Sequence, residues 1–269
     1  NCVYCGGEDL HGWKDLRGYF FCEYCWSCWD GMVSSEAARI AEMYEKPHVE
    51  KYDDILPPLS RPSMGSPTVV DITQEDSLYA ALNMVPDSSR SQRLGHDPCV
   101  LCMASPDKPG GDSGLVGRGQ LGEFCRSTTF QAVIDDIFFP ITERGALYIP
   151  EVVVFRIEGK QIPHFPISVI AAPAIRWPDT SSELGLSSYR SLLREKIQGL
   201  LRISAEHEHK LLVLGAWGCG TLGNPPNEVA RAFRDILMES EDIANRFLHV
   251  VFAIKNHDLA LQAFREEFL

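Results

Sequence analysis

Two features of the 269-residue chain could do chemistry, a cluster of thiols at one end and glycine-bearing loops further on. Five of the nine cysteines, Cys2, Cys5, Cys22, Cys25 and Cys28, fall in the first 28 residues. Cys2-x2-Cys5, sixteen residues and then Cys22-x2-Cys25 place two thiolate pairs where tight turns can close a tetrahedron around Zn²⁺. A disulfide framework is the alternative, but five thiols are odd in number and close CxxC pairs fit a metal better. Cys2, Cys5, Cys22 and Cys25 are therefore expected to hold a structural zinc, with Cys28 as a spare thiol and His11 as a weaker substitute. Through Asp30 this module carries Lys14 and Arg17 against Glu8, Asp9, Asp15, Glu23 and Asp30, so it would repel phosphate backbones. Its many aromatics, among them Trp13, Trp26 and Trp29, exceed what so small a core can hide. They are expected to pack on the main domain or on a protein partner.

The second feature is Gly215-Ala-Trp-Gly218-Cys219-Gly220-Thr221-Leu222-Gly223-Asn224-Pro-Pro, between an apolar strand at Leu211–Leu214 and a helix starting at Pro226. Glycines there let backbone N–H groups converge on an anion, and the helix start adds a favourable dipole. Gly218-x-Gly220-x-x-Gly223 also matches the dinucleotide fingerprint in form. That fingerprint needs a first strand-helix turn and an acidic residue ending the next strand. Here one strand follows, ending in Ile254-Lys255-Asn256, so the dinucleotide reading fails on context while phosphate binding survives. A second loop, Ser105 to Asp112, carries Gly110 and Gly111 and runs on through Gly122. Together the loops could clamp a diphosphate from both sides; the competing reading is that they are plain turns.

These loops must be positioned by elements. A helix is expected over Ser34–Lys46 and a proline-rich linker over Pro57–Pro67. After it, strands are expected at Thr68–Ile72, Pro98–Ala104, Val152–Phe155, Ile167–Ala171, Leu211–Leu214 and Leu248–Ile254. Helices are expected at Asp76–Asn83, Glu123–Ile134, Tyr189–His207, Pro226–Met238 and up to Phe268. Continuous apolar strands alternating with helices mean a three-layer α/β fold with a buried, mostly parallel or mixed sheet. The division is residues 1–33 as zinc module, 34–66 as helix and linker, and 67–269 as the large domain.

Net charge is −12 with histidines neutral, which argues against electrostatic capture of nucleic acid or of anionic membrane. No apolar run reaches the roughly 20 residues needed to span a bilayer. The chain is expected to be soluble and intracellular, in the cytoplasm or nucleus.

Val100-Leu-Cys-Met-Ala-Ser with Pro109-Gly110-Gly111, then Gln120, Cys125-Arg126-Ser127, Tyr148-Ile-Pro-Glu-Val152, Ala171-Ala-Pro-Ala174 and Leu214-Gly-Ala-Trp-Gly-Cys-Gly220 resemble the microbial-type poly(ADP-ribose) glycohydrolase family, a branch of the macrodomains. The resemblance runs from about Val69 to Phe268, with the motifs in order. It implies a macrodomain-like mixed sheet between helices, ADP-ribose as ligand, and hydrolysis at the distal ribose of poly(ADP-ribose) or of ADP-ribosylated protein. It places Gly110, Gly111 and Gly218, Cys219, Gly220, Thr221, Leu222 and Gly223 against ADP-ribose.

The chain departs from the family where the acid-base chemistry sits. Family members follow the glutamine with two glutamates that donate a proton to the leaving group and activate water. Here Gln120 is followed by Leu121 and Gly122, with Glu123 one place late, and Asp112 stands where a third glycine is usual. Gln120, Glu123 and Asp112 are the catalytic candidates; for both carboxylates the competing reading is a solvated surface group. A reader of ADP-ribosylated protein, binding without turnover, is the alternative function. A metal-assisted variant through His96, Cys99, Cys102, Cys125 and Cys219 is weaker, because cysteines straddling a strand behave as small apolar residues. His207 and His209 read as a solvated helix end.

Overall fold

The computed structural model describes residues 12–14, 20–22, 35–44, 47–59, 66–85, 97–111, 119–134 and 136–269. Asp112, Cys2, Cys5, Cys25, Cys28, His11 and His96 lie outside them. Strands β1 (Gly12–Lys14) and β2 (Phe20–Cys22) pair antiparallel, with Gly12 opposite Cys22. Helix α1 covers 35–41, and strand β3 (Glu50–Tyr52) follows.

The large domain then runs β4 (Val69–Thr73), α2 (Ser77–Met84), β5 (Cys99–Met103), α3 (Gln120–Ser127), α4 (Phe130–Val133), β6 (Ala146–Ile157), β7 (Lys160–Ala172), α5 (Glu183–Glu206), β8 (Leu211–Leu214), α6 (Pro226–Glu239), β9 (His249–Ala253) and α7 (Asp258–Phe268). Seven strands form one sheet in the order β3-β6-β7-β5-β8-β9-β4. β3, β6 and β7 pair antiparallel, and the pairs from β7 through β4 are parallel. Successive side chains of β5 point to opposite faces, so Leu101 joins one core with Leu193, Ile197, Leu212, Phe233, Phe252 and Phe264. Val100 joins the other, with Leu78, Phe124, Phe130, Val169 and Val213. Helices α5, α6 and α7 thus cover one face and α2, α3 and α4 the other, the expected three layers. No helix among the described residues is long and apolar enough to cross a membrane.

Several boundaries differ from those expected. Within the segment expected as helix and linker, α1 packs on the large domain: Ala37 and Ile40 lie against Val153 and Phe155, and Glu36 pairs with Arg156 at 2.5 Å. β3 extends the sheet edge against Tyr148, Leu147 and Ala146. β6 begins before Val152 because a register shift between Ile149 and Val152 lets the strand pass Pro150, with Glu151 at φ 54. The helix expected over Glu123–Ile134 is two helices. Thr128 Oγ1 donates to Phe124 O and accepts from the Phe130 N–H, while Thr129 Oγ1 accepts from the Val153 N–H, tying the break to β6.

Candidate active site

The carboxyl ends of β5, β8, β9 and β4 open into a cleft of about 330 Å³, lined among others by Asp76, Gln120, Glu123, Gly220, Lys255 and His257. That volume lies in the range of small-molecule sites, at the edge of an α/β sheet where ligands are expected.

The loop after β8 is held in shape by its own bonds. Asn224 is buried, and its side-chain amide donates to Ile175 O at 2.7 Å and Gly218 O at 3.1 Å. Its Oδ1 accepts from the Tyr189 hydroxyl at 3.1 Å. Gly218 sits at φ 77, and a Cβ there would lie 2.4 Å from Asn224 Nδ2, so both conformation and space require glycine. The amides of Cys219, Gly223 and Asn224 donate within the loop, to Ala216 O, Gly220 O and Gly218 O. Those of Gly218, Gly220, Thr221 and Leu222 have no backbone acceptor among the described residues. A Cβ on Gly220 would meet nothing within 4 Å. His257 joins the loop to α7: its Nδ1 accepts the Ala260 N–H, which leaves Nε2 to donate to Cys219 O at 3.0 Å. Beneath the loop, buried Trp217 carries the Lys196 ammonium 5.5 Å from its ring. Burial lowers the Lys196 pKa to about 8.

The first glycine loop places Gly110 and Gly111 at φ 70 and 67, both left-handed. A Cβ on Gly111 would press on Leu121 and Ser105 at 3.3 Å. This close approach brings the loop against the start of α3. There Gln120 spends its amide on structure: Oε1 accepts the Met103 N–H at 2.8 Å, and Nε2 donates to Leu101 O at 2.8 Å and Ser77 Oγ at 3.2 Å. It staples the end of β5 to the first turns of α2 and α3, which makes it a positioning residue in this geometry.

Glu123 lines the same cleft but is 9% exposed. One carboxylate oxygen takes Arg126 at 2.9 Å and the other the Ser127 hydroxyl at 2.7 Å. Across the cleft Asp76 caps α2 by accepting the Leu78 N–H at 2.9 Å. Burial raises its pKa, and the Glu123 charge adds to the rise; Leu78 and Lys255 oppose it. Lys255 reaches Asp76 at 4.0 Å and Glu158 at 2.7 Å.

The sequence did not single out Asp76, Lys255 or His257 for this cleft, since nothing in their spacing joins the ends of β4 and β9. Asn224 belongs to the glycine-loop motif, but nothing in the sequence marks it as the latch. His207 and His209 correct an expectation. Glu208 at φ 59 turns the chain back under the sheet, where Tyr148 stacks on His207 with ring centroids 3.6 Å apart. The Tyr148 hydroxyl lies 2.9 Å from His209 Nε2. They are part of a semi-buried polar network, and burial lowers the pKa of His209 to about 4. The scattered cysteines are buried free thiols. Burial pushes Cys99, Cys125 and Cys219 up to about 12. No group of three or more His, Cys, Asp or Glu among the described residues could hold a metal ion.

Solved structures share this architecture. A poly(ADP-ribose) glycohydrolase from Thermomonospora curvata is 23% identical with a TM-score of 0.70, over 96% of this chain and 93% of that one. The same enzyme bound to the inhibitor ADP-HPD superposes with a TM-score of 0.67, at 23% identity over the same shares of the two chains. The poly(ADP-ribose) glycohydrolase of Deinococcus radiodurans in complex with ADP-ribose is 26% identical, with a TM-score of 0.64 over 88% of this chain and 90% of that one. The chain has the fold of these bacterial glycohydrolases. No family model and no curated protein matches its sequence.

Proposed function

We propose that this protein is a hydrolase that removes ADP-ribose from poly(ADP-ribose) or from ADP-ribosylated protein by cleavage at the distal ribose. The observation that carries the reading is the convergence, in one cleft, of the loop after β8 with the start of α3 bearing Gln120 and Glu123. The fold shared with glycohydrolases, one of them holding ADP-ribose, supports it.

On this reading the amides of Gly218, Gly220, Thr221 and Leu222 face a diphosphate, with Gly110 and Gly111 closing from the other side. Cys219 and Gly223 shape the loop through their own turn bonds. The cradle is built from loop amides rather than basic side chains, and Lys255, which also lines the cleft, is paired with Glu158, so diphosphate binding is a matter of backbone geometry. Gln120 holds the end of β5 in register with α3. Glu123 serves as the cleft carboxylate. Arg126 and Ser127 fix its plane, while each oxygen keeps a second lone pair for a water or a sugar hydroxyl. Asp112, on the run leading from Gly111 to α3, is the second carboxylate candidate.

ADP-ribose release from polymer and from modified protein, by wild type, Glu123→Gln and Asp112→Ala, tests the assignment. Release that collapses in Glu123→Gln supports it, and full activity in both variants rejects it. ADP-ribose binding without any release would mark a reader instead.

Cys2, Cys5, Cys22 and Cys25 are proposed to hold a structural zinc in a module that contacts a protein partner or braces the large domain. Pairing of Gly12–Lys14 with Phe20–Cys22 is consistent with a hairpin between the two cysteine pairs. Intact-mass measurement before and after chelation is expected to lose one zinc, and an unchanged mass contradicts the site.

A further inference from the structure

The connection from β7 to α5 bridges both glycine loops. Arg176 pairs with Asp107 of the first loop at 3.2 Å. Trp177 grips the second with both its donors, its backbone N–H reaching Leu222 O at 2.9 Å and its indole Nε1–H reaching Thr221 O at 3.2 Å. A Cβ on Gly223 would lie 3.8 Å from Trp177 Cδ1, so the indole edge runs along the loop. Yet the residue is 73% exposed, and its backbone sits at φ 42, a left-handed conformation that bulky residues rarely adopt. Backbone strain of this kind persists where surrounding structure enforces it, often at ligand sites. Trp177 is thus an aromatic ring of fixed orientation, displayed to solvent from the rim of the candidate ADP-ribose cleft but outside its lining.

We infer that Trp177 is a stacking platform for the adenine of the ADP-ribose unit adjoining the one held in the cleft, and so selects polymer over single ADP-ribosyl groups. The inference rests on the reading of the cleft as an ADP-ribose site. A cleft of about 330 Å³ is of the size for a single ligand unit, so the rest of a chain must leave over the rim. In poly(ADP-ribose) what leaves is always another ADP-ribose, whose adenine is a flat aromatic ring at a fixed distance from the cleaved bond. A protein acceptor offers no such constant ring. Base-on-indole stacking tolerates varied approach and needs only an exposed, rigid face. Arg176, half exposed beside it, is held to the first loop by Asp107 and helps to fix the strand-to-helix connection that carries the ring.

The test compares wild type, Trp177→Ala and Trp177→Phe by kcat/KM on poly(ADP-ribose), by kcat/KM on protein carrying single ADP-ribose, and by calorimetric Kd for free ADP-ribose. Trp177→Ala is expected to lower kcat/KM on polymer about 10-fold more, mainly through KM, than it lowers the other two readouts, whose smaller common loss reports the Nε1 bond to Thr221 that Trp177→Phe loses as well. Trp177→Phe, which keeps an aromatic face but loses the Nε1 bond to Thr221, is expected to retain most of the polymer preference. If wild type binds without turnover, polymer Kd replaces kcat/KM in the same comparison. Equal losses on all readouts, or a Phe variant as poor as Ala, would reduce Trp177 to a support for the loop and overturn the proposal, as would an unchanged polymer kcat/KM. Wild type that neither binds nor releases ADP-ribose would overturn the reading of the cleft, and this proposal with it.

Discussion

The loop after β8 and the first turn of α3 border the same cleft, yet the chain builds them by opposite means. The loop closes its turns with backbone bonds and the Asn224 latch, leaving other amides without backbone acceptors among the described residues. At α3 the polar side chains are occupied instead: Gln120 is bonded to two strand backbone groups and Ser77, and Glu123 to Arg126 and Ser127. Anion binding by backbone tolerates changes of side chain, so residues such as Thr221 and Leu222 can vary without altering what the loop presents. Acid-base chemistry depends on one side chain at one place. The comparison therefore predicts that ligand binding and turnover respond to different mutations.

The largest separation is expected from Glu123→Gln. Loss of the carboxylate should slow ADP-ribose release by about 10²–10⁴-fold, the usual share of general acid-base catalysis, with the ADP-ribose Kd nearly unchanged. The variant also replaces the carboxylate that pairs with Arg126 at 2.9 Å, in a place where that arginine's side chain is 13% exposed, by a neutral amide. A destabilisation of about 1–3 kcal/mol should accompany it, visible in the denaturant midpoint. Parallel loss of binding and turnover would erase the distinction between the two regions.

A smaller effect separates two glycines of one loop. Gly218→Ala forces a Cβ to within 2.4 Å of Asn224 Nδ2 at φ 77 and should lower Tm by several degrees, about 2–4 °C per kcal/mol for a domain of this size. Gly220→Ala meets open space and should leave Tm within about 2 °C, since surface substitutions of this kind fall within about 0.5 kcal/mol. Equal Tm values for the two variants would deny that the loop is internally braced.

The gentlest test concerns the far edge of the sheet, away from the cleft. His209 titrates at about 4 in the folded chain against 6.5 in the unfolded one, pushed down first by burial, with His207 contributing. Between those values the unfolded chain binds the additional proton, so stability is full above pH 6.5, falls as pH drops and levels off below about 4. The loss attributable to His209 is at most on the order of 3 kcal/mol. Replacement by asparagine should flatten the unfolding free energy over this window while ADP-ribose binding at neutral pH stays as in wild type. An identical pH profile in the variant would remove His209 from the account.

Legibility in the sequence followed the same division. β8 was bounded correctly at Leu211–Leu214, because a short apolar run between polar turns has one solution in a buried parallel sheet. The glycine loop was legible too, since its function resides in residues that lack side chains. β3 was missed: Glu50-Lys-Tyr52 carries no apolar alternation, and it pairs at an edge where none is needed. The break between α3 and α4 depends on Thr128 and Thr129 bonding to residues of their own turn and of β6, a tertiary event that helical spacing does not report. The commitments of Gln120 and Glu123 were equally hidden, because their partners Met103, Leu101 and Ser77, and Arg126 and Ser127, are chosen by packing as well as by nearness in sequence.

The central claim is that backbone amides of the loop after β8 hold the diphosphate of ADP-ribose on this acidic chain. Calorimetric titration of wild type and Gly220→Ala with ADP-ribose tests it most directly. The account predicts saturable one-to-one binding by wild type and weakened binding by a Gly220→Ala protein of unchanged Tm; absence of binding by wild type, or equal affinity in the two, would contradict it.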